Sequence, residues 1–455
     1  MRGAGLGWVS IVRLGLVQAC LGAIVVLTTS TLNRVMVVEL ALPATLPGAL
    51  VGVHYAVQML RPRWGYGSDM TARRTPWIIG GMAVLCAGGF LAALATAWMA
   101  SDTAAGIALA VFAFFAIGIG VGASGTSLLA LLAAKVDPGR RAAAATLVWG
   151  MMIVGFVITA TSAGHFLDPF SPSRLVAVTG AVALSAFILT VIAVFGVERG
   201  VAHPDDPHPA GRDGGEAKPT FRQALGEVWG ETTARRFTIF IFVSMLAYSA
   251  QDLVLEPFAG TVFGMTPGES TKLAGVQHSG VLLGMLTVGL LGSNLLFRRI
   301  GTMKTWTIGG CFASALALFG LVVGGFVGPD WPIRTSVFAL GAANGAFAVA
   351  AIASMMGLAG AGRARREGVR MGLWGAAQGV AFGLGGFLGT VAIDVTRAIF
   401  ASPVPAYTLV FAVEGLVFIV SAWLAFRVDR GGKVTSAPVD LTAVGKETLV
   451  GLRGQ

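Results

Sequence analysis

Residues 140–150 read Arg-Arg-Ala-Ala-Ala-Ala-Thr-Leu-Val-Trp-Gly, and residues 365–375 read Arg-Arg-Glu-Gly-Val-Arg-Met-Gly-Leu-Trp-Gly, 225 positions later. A second pair of stretches, residues 77–81 and 306–310, shares a Trp, an Ile and a Gly-Gly end at an offset of 229. Each pair joins a basic loop to the apolar segment that follows it. Two similar offsets of this kind indicate that the chain is a duplication of one structural unit.

Composition places both units in a membrane. The chain is 55% hydrophobic and only 12% charged, with a mean hydropathy of +0.79, whereas a soluble domain has about 25% charged residues. Twelve apolar segments are long enough to be membrane helices. They are 13–36, 44–60, 76–98, 105–133, 143–165, 174–196, 237–258, 274–297, 305–327, 333–358, 370–394 and 405–426.

The predicted fold class is therefore an all-α membrane protein with twelve transmembrane helices in two six-helix halves. The N-terminal half covers residues 1–197 and the C-terminal half covers 237–427. Residues 198–236 form a polar linker, within which Phe221, Leu225, Val228 and Trp229 share one face of a short amphipathic helix. Residues 428–455 form a tail.

The basic residues predict the orientation. If both termini are cytoplasmic, 27 of the 32 Lys and Arg residues lie on the cytoplasmic side, as the positive-inside rule requires. This distribution also accounts for the net charge of +10, because a basic membrane face is attracted to anionic lipid. A nucleic-acid partner is not needed to explain the charge.

The loop after the second segment contains a recognisable motif. Gly65, Asp69, Arg73 and Arg74 lie in register with the Gly-xxx-Asp-(Arg/Lys)-x-Gly-Arg-Arg signature of the major facilitator superfamily, which this loop resembles. Met70 and Ala72 depart from the pattern. In that family the acid and the arginines tie neighbouring cytoplasmic helix ends together and take part in gating, which is what the resemblance implies here. An ordinary positive-inside loop remains the alternative.

Residues 249–258 place Gln251, Asp252 and Glu256 inside an apolar segment that Pro257 is expected to end. An ionisable group at membrane depth costs roughly 2.5 to 3.5 kcal/mol on insertion scales, so such a group is a candidate for function. Asp252 could be the titrating site of a proton-coupled transporter. The first and fourth segments carry no acid at mid-depth, however, and the acids could equally pair with Arg34 or with other helices and only hold the fold.

Two histidines lie in apolar segments, His54 at mid-depth and His278 near the outer end of the eighth segment. A neutral imidazole can ligate the central metal of a tetrapyrrole, and packing within the membrane is the alternative for both. We find no nucleophile elbow, phosphate loop or clustered metal-ligand set in the sequence. We therefore expect that the protein is not an enzyme.

Three stretches together resemble the PucC/LhaA family, the bacteriochlorophyll delivery branch of the major facilitator superfamily. They are residues 32–40 with Asn33, Arg34 and Glu39, residues 251–258 with the deep acids, and residues 371–379 with Gln378. The resemblance implies assembly of light-harvesting antenna complexes in the inner or intracytoplasmic photosynthetic membrane of a bacterium.

The same resemblance implies bacteriochlorophyll as cargo and the antenna α and β polypeptides as partners, with the pigment-synthesis and insertion machinery as further partners. It assigns pigment binding or a polar core to His54, Gln251, Asp252, Glu256, His278 and Gln378, and an outer polar group to Asn33, Arg34 and Glu39. His54 or His278 would ligate the magnesium. Two alternatives remain open: an ion-coupled secondary transporter of a small hydrophobic molecule, and a scaffold that docks antenna peptides without touching pigment.

Overall fold

The computed structural model describes residues 6–60, 73–136, 141–198, 226, 229–291, 300–360, 367–400 and 402–428. Twelve long helices run through these ranges, and no strand occurs in them, which confirms the predicted fold class. The helices are α1 Trp8–Glu39, α2 Thr45–Gln58, α3 Thr75–Trp98, α4 Thr103–Lys135, α5 Arg141–Phe166, α6 Pro172–Val194, α7 Thr232–Phe263, α8 Pro267–Leu291, α9 Met303–Val327, α10 Ile333–Gly360, α11 Glu367–Ile399 and α12 Val404–Val428.

Eleven of these helices are long and apolar enough to cross a membrane, so the protein is a multi-pass membrane protein. The exception is α2, whose 14 residues span about 21 Å at 1.5 Å per residue. Residues 61–72, which follow α2, lie outside the described part of the chain. They include Gly65 and Asp69 of the loop motif.

Helix packing follows the duplication. In the N-terminal half, α1 packs on α5 and α6, while α4 packs on α2 and α3. Adding six to each label gives the contacts of the C-terminal half: α7 with α11 and α12, and α10 with α8 and α9. The two halves meet where α5 packs on α8 and where α2 packs on α11, and these two contacts are also equivalent. The molecule therefore has an internal pseudo-two-fold arrangement.

The glycines of the sequence repeat allow the same close contact between helices in each half. A Cβ at Gly81 would lie 2.5 Å from the Ser124 backbone nitrogen, and one at Gly310 would lie 2.7 Å from that of Phe347. Only glycine permits helices to approach so closely. Because Gly81 and Gly310 are equivalent in the sequence repeat, the contact also aligns Ser124 with Phe347.

The helix pairs α1–α5 and α7–α11 each contain a contact between a glutamine amide and a methionine sulfur. The glutamine lies on the first helix of one pair and on the second helix of the other. Gln18 Nε2 of α1 donates to Met152 Sδ of α5 at 3.3 Å, and Gln378 Nε2 of α11 donates to Met245 Sδ of α7 at 3.8 Å. The contact aligns Gln18 with Met245 and Met152 with Gln378, at offsets of 227 and 226. Positions in the two halves can thus be compared one by one.

The start of α8 differs from the predicted boundary of 274. Thr266 and Glu269 form a capping box: the Thr266 backbone nitrogen donates to Glu269 Oε2 at 3.0 Å, and the Glu269 nitrogen donates to Thr266 Oγ1 at 3.2 Å. The helix therefore begins at Pro267, in polar residues that a hydropathy pattern leaves out. His278 consequently lies well inside α8 rather than near its outer end, which corrects the prediction.

Helix α7 also begins earlier than predicted, at Thr232 rather than at 237, so it takes up the last residues of the predicted linker. Most of that linker lies outside the described residues, including Phe221, Leu225 and Val228 of the predicted amphipathic helix. Trp229 is described and is exposed. The tail beyond Val428 also lies outside the described part.

Candidate functional site

Pro257 lies inside α7 and does not end it, so that prediction is wrong. The helix continues to Phe263 and ends at Gly264, which has a left-handed φ of 66°. A proline has no backbone N–H, so the Leu253 carbonyl four residues earlier loses its donor within the helix. Asn33 of α1 supplies a replacement, because its Nδ2 donates to the Leu253 oxygen at 2.5 Å. A buried side chain of one half thus completes a helix of the other half.

Asn33 and Arg34 point into the protein because α1 is not a regular helix. Two π turns, Leu27–Thr31 and Val35–Glu39, flank these two residues, and each wider turn changes the direction of the side chains that follow. Thr29 Oγ1 donates to the Val25 carbonyl at 2.9 Å in the first of them. Asn33 and Arg34 are 0% and 2% exposed. Such π turns are frequent at functional sites.

Arg34 is a buried cation that joins the two halves. Its guanidinium forms an ion pair with Glu39 and donates to the Met265 carbonyl in the α7–α8 loop at 2.5 Å. The guanidinium also packs on Gly260, where a Cβ would lie 2.9 Å from Nη2. The ion-pair partner of Arg34 is therefore Glu39, and not Asp252 or Glu256.

Glu256 is 1% exposed and is held by hydroxyl groups. Ser270 and Thr271 at the start of α8 donate to its Oε2 at 3.3 and 3.4 Å. Thr271 Oγ1 also lies 3.1 Å from Thr31 Oγ1 of α1. Asn33, Arg34, Glu39 and Glu256 thus belong to one polar group that connects α1 with α7 and α8.

Gln251 belongs to a separate series of hydrogen-bonded side chains within the C-terminal half. Ser314 of α9 donates to Asn344 Oδ1 at 2.8 Å, and Asn344 Nδ2 of α10 donates to Gln251 Oε1 at 2.7 Å. At the offsets set by the repeat, the equivalent residues of the N-terminal half are the buried apolar Ile24, Leu85 and Val121. The fold itself does not need polar residues at these positions, which makes this series of hydrogen-bonded side chains a candidate for function.

Asp252 borders a small cavity where the two halves meet. The cavity has a volume of about 10 Å³, enough for about one water molecule. Its wall comes from α1, α2, α7 and α11, namely Thr29, Val51, Tyr55, Ser249, Asp252, Leu253, Phe382 and Gly386. Tyr55 and Phe382 close it from opposite halves, with ring centroids 5.6 Å apart.

The two histidines have different environments in the structure. His54 of α2 is buried, with its Nε2 at 2.6 Å from Gln58 Nε2 and its ring edge-on to Tyr55. His278 of α8 donates from Nδ1 to the Ala274 carbonyl at 2.8 Å and lies edge-on to Phe156 of α5, at 4.7 Å between centroids. No group of three or more His, Cys, Asp or Glu side chains that could hold a metal ion is present among the described residues.

Two carboxylates that the sequence analysis missed join the halves reciprocally. Asp394 of α11 accepts from the Ala44 and Thr45 nitrogens at the start of α2, at 2.9 and 2.7 Å. Asp168, after α5, accepts from the Gly268 nitrogen at the start of α8, at 3.2 Å. Each acid therefore caps a helix N-terminus of the opposite half, which favours negative charge. Asp168 and Asp394 are 226 residues apart, close to the offsets of the repeat. This spacing is the sequence signal that could have identified them as an equivalent pair.

These contacts lie on one side of the membrane. We call it the distal side: it carries the α1–α2, α5–α6, α7–α8 and α11–α12 loops. Within the described residues, the polar contacts between the halves include those of Asp394, Asp168, Arg34, Thr31 and Asn33, which lie in the distal part of the protein. Closer to the centre, the contacts between halves include the aromatic pairs Tyr55–Phe382 and Phe156–His278. The protein is thus closed distally by polar bonds.

The described part of the loop motif holds helix ends within the N-terminal half. Arg74 Nη1 donates to the Ala130 carbonyl of α4 at 2.8 Å. Glu198, beyond the end of α6, accepts from the Arg74 and Thr75 nitrogens at 3.0 and 2.9 Å. Arg73 is the other described residue of the motif.

We expect the stability that Glu198 provides by binding the start of α3 to depend on pH. Burial opposes ionisation of its carboxyl group, but hydrogen bonds from Thr75 and Arg74 outweigh burial and lower its pKa from the usual 4.5. A lowered folded-state pKa gives stability that is present above pH 4.5 and is lost as the pH falls through the folded-state value. Thermal unfolding in detergent should therefore show Glu198→Gln to be less stable than the wild type at pH 7, with the gap closing below pH 4.5.

The exposed Asp330 offers a matched control, because Asp330→Asn should unfold like the wild type across this range. A gap between Glu198→Gln and the wild type that persisted unchanged into strong acid would contradict the assignment of the stabilisation to the ionised Glu198 carboxylate.

A sequence model described as "PUCC protein" matches residues 31–432 of the chain. The chain belongs to the PUCC family. Among PUCC relatives, "Protein PucC" of Rhodobacter capsulatus is 30% identical over 93% of this chain and 93% of its own length. The "Bacteriochlorophyll synthase 44.5 kDa chain" of the same organism is 53% identical, over 92% of this chain and 95% of its own.

Solved structures show the fold of this PUCC chain. A crystal structure of the nucleoside transporter NupG superposes with a TM-score of 0.67, covering 93% of this chain and 100% of that one at 12% identity. At such identity the likeness shows the fold alone. The chain therefore has the fold of secondary transporters, and its sequence relatives are named for bacteriochlorophyll and PucC.

Proposed function

We propose that this protein is an assembly factor for bacterial light-harvesting antenna complexes. In this proposal it delivers bacteriochlorophyll to the antenna α and β polypeptides, or chaperones these polypeptides, in the photosynthetic membrane, and its termini are cytoplasmic. The single observation that carries the proposal is family membership over residues 31–432, strengthened by the 53% identity to a relative named for bacteriochlorophyll synthase. We further propose that it acts without catalysing a reaction and works alongside the pigment-synthesis and insertion machinery.

The arrangement of the halves supports a binding cycle. A bacteriochlorophyll macrocycle is far larger than the cavity of about 10 Å³ beside Asp252, so binding at this position requires the halves to move apart. The polar distal contacts are directional and hold the halves in register, whereas the Tyr55–Phe382 contact consists of two ring surfaces that can part. Opening from the side opposite the distal loops would expose Gly386, Ser249 and Asp252, which line the cavity. Such a lining suits a planar apolar ligand with peripheral carbonyl groups.

The histidines differ in their availability for magnesium. His278 uses Nδ1 in its bond to Ala274, and this leaves Nε2 as the ring nitrogen that could ligate a metal. The Nε2 of His54 already contacts Gln58. We therefore propose His278 as the better of the two ligands, and Asp252, in its protonated form, as a donor that orients a ring carbonyl.

The proposal is tested by deleting the gene from its host and recording membrane absorption spectra. We expect loss of either the core or the peripheral antenna, and restoration by the wild-type gene. The purified protein should carry bacteriochlorophyll, at a level reduced at least several-fold by His278→Ala or Asp252→Asn. His165→Ala is the matched control, because that histidine is exposed at the end of α5, and it should retain the pigment.

Normal amounts of both antennas in the deletion strain would overturn the proposed function. If antenna polypeptides co-purify from a strain that makes no pigment, the scaffold alternative is favoured. Flux of a small hydrophobic molecule in proteoliposomes, driven by a pH gradient and lost in Asp252→Asn, would instead favour the ion-coupled transporter.

A further inference from the structure

Glu414 of α12 is a carboxyl group to which the antenna-assembly proposal gives no role. It is 4% exposed, and neither of its two oxygens has a hydrogen-bond partner among the described residues. It lies within electrostatic range of Asp252 on the adjacent α7. An unpaired carboxylate at this depth costs several kcal/mol, and a second carboxylate within electrostatic range raises the cost because like charges repel. Such a pair is stable only if it holds protons.

We propose that Asp252 and Glu414 form a proton-binding site in the C-terminal half. Asp252, at the central cavity, is the entrance, and Glu414, deeper between the helices, is the group that retains the proton. Uptake consists of transfer from a hydronium ion in the cavity to a carboxylate oxygen, which leaves water. Only O–H bonds break and form in this step.

The repeat indicates that the pair is not a requirement of the fold. At the offset that aligns Gln18 with Met245, Asp252 corresponds to Val25. When the Ser-Pro starts of α6 and α12 are aligned, Glu414 corresponds to the buried Ala183. The same helix pair therefore packs in the N-terminal half with apolar residues. The buried amide of Gln251 adjoins Asp252 in sequence, and its Nε2 also lacks a partner among the described residues.

Among the described residues, no cation forms an ion pair with Asp252 or Glu414. Tyr55 of α2 lines the same cavity as Asp252, and Tyr248 lies one helical turn before Asp252 on α7. Cys311 of α9 is a buried free cysteine. The charged groups described on the helices that pack against α7 and α12 lie toward the helix ends. They are Arg34, Glu39, Glu269, Lys272, Arg334, Asp394 and Arg397 on the distal side, and Arg13, Arg235, Arg236, Lys304 and Arg427 on the opposite side. Glu256 is separately bonded to Ser270 and Thr271.

Infrared difference spectroscopy of the purified protein tests the site directly, through the C=O stretch of protonated carboxyl groups. The wild type should show such a band at pH 7 that shifts in D₂O, and Glu414→Gln should remove the component of the band that belongs to Glu414. In Asp252→Asn the Glu414 band should remain while its hydrogen–deuterium exchange slows at least tenfold, because the entrance is lost. A purely structural role of Asp252 would not slow this exchange.

Asp330→Asn is the control, because Asp330 is an exposed carboxylate after the end of α9, and it should leave the band intact. Should Glu414→Gln fail to fold, Glu414→Asp should displace the band without removing it. A wild-type spectrum without a protonated carboxyl band, or a band unchanged in both Glu414 variants, would overturn the proposal. The readout involves neither pigment nor antenna, so it is independent of the outcome for the proposed function.

Discussion

Glu39→Gln should destabilise the protein by about 3 kcal/mol, the low end of the range for breaking a buried ion pair, since Glu39 is one-third exposed. The variant leaves Arg34, which is 2% exposed, as a buried charge without its carboxylate. The double variant Arg34→Met/Glu39→Gln removes both charges and keeps an unbranched side chain against Gly260. It should be more stable than Glu39→Gln alone. Denaturant unfolding in detergent micelles measures both differences.

Arg174→Met is the matched control for the arginine. Arg174 also donates to a carbonyl on the distal side, that of Pro169 at 2.9 Å, but it is partly exposed. Its replacement should cost less than about 1 kcal/mol, as is usual for surface pairs and contacts. A double variant less stable than Glu39→Gln would show that Arg34 stabilises mainly through Met265 and packing rather than through its charge pair.

Asn33→Ala should destabilise the protein by about 1–3 kcal/mol, the cost of leaving a buried carbonyl without a donor. The carbonyl is that of Leu253, and it depends on Asn33 because Pro257 has no N–H. The dependence can be removed, since Pro257→Ala restores a backbone N–H at the position that bonds this carbonyl in a regular helix. In the Pro257→Ala background, Asn33→Ala should therefore cost measurably less than it does in the wild type.

This double-mutant cycle is measured by unfolding all four proteins under the same conditions. Asn344→Ala serves as the control, because Asn344 is equally buried but bonds Gln251 and Ser314. Its cost should be the same with or without Pro257. Equal costs of Asn33→Ala in the two backgrounds would mean that Asn33 acts in another way than by capping the Leu253 carbonyl.

Pattern and composition predicted the architecture well, because membrane helices are long and nearly uniform in character. The sequence offsets at Trp149 and Trp374 and at Gly81 and Gly310 correctly predicted the duplication, and the two glycines occupy equivalent helix contacts. The errors arose where local chemistry outweighed hydropathy. A capping box begins α8 in polar residues at Pro267, and Asn33 lets α7 continue through Pro257.

The candidate residues were recognised individually, but their grouping was not predictable. Arg34 is paired with Glu39 five residues away, while Glu256 is held by hydroxyl groups of α8. Asp168 and Asp394 carry no local motif, since each acts on a helix start that is 100 to 350 residues distant. Contacts over such separations depend on how helices pack, and helical periodicity in a wholly apolar segment does not define which face meets which neighbour.

The sequence by itself determined that the chain crosses the membrane repeatedly, that it is built from two equivalent halves, and which polar residues lie at depth. These properties follow from the free energy of transferring side chains into lipid, which each residue carries with it. The tertiary structure alone decided which of those polar groups find partners. It satisfied the Leu253 carbonyl across the interface, paired Arg34 with Glu39, and left Glu414 without a hydrogen-bond partner among the described residues, because partners at depth come only from other helices and not from water.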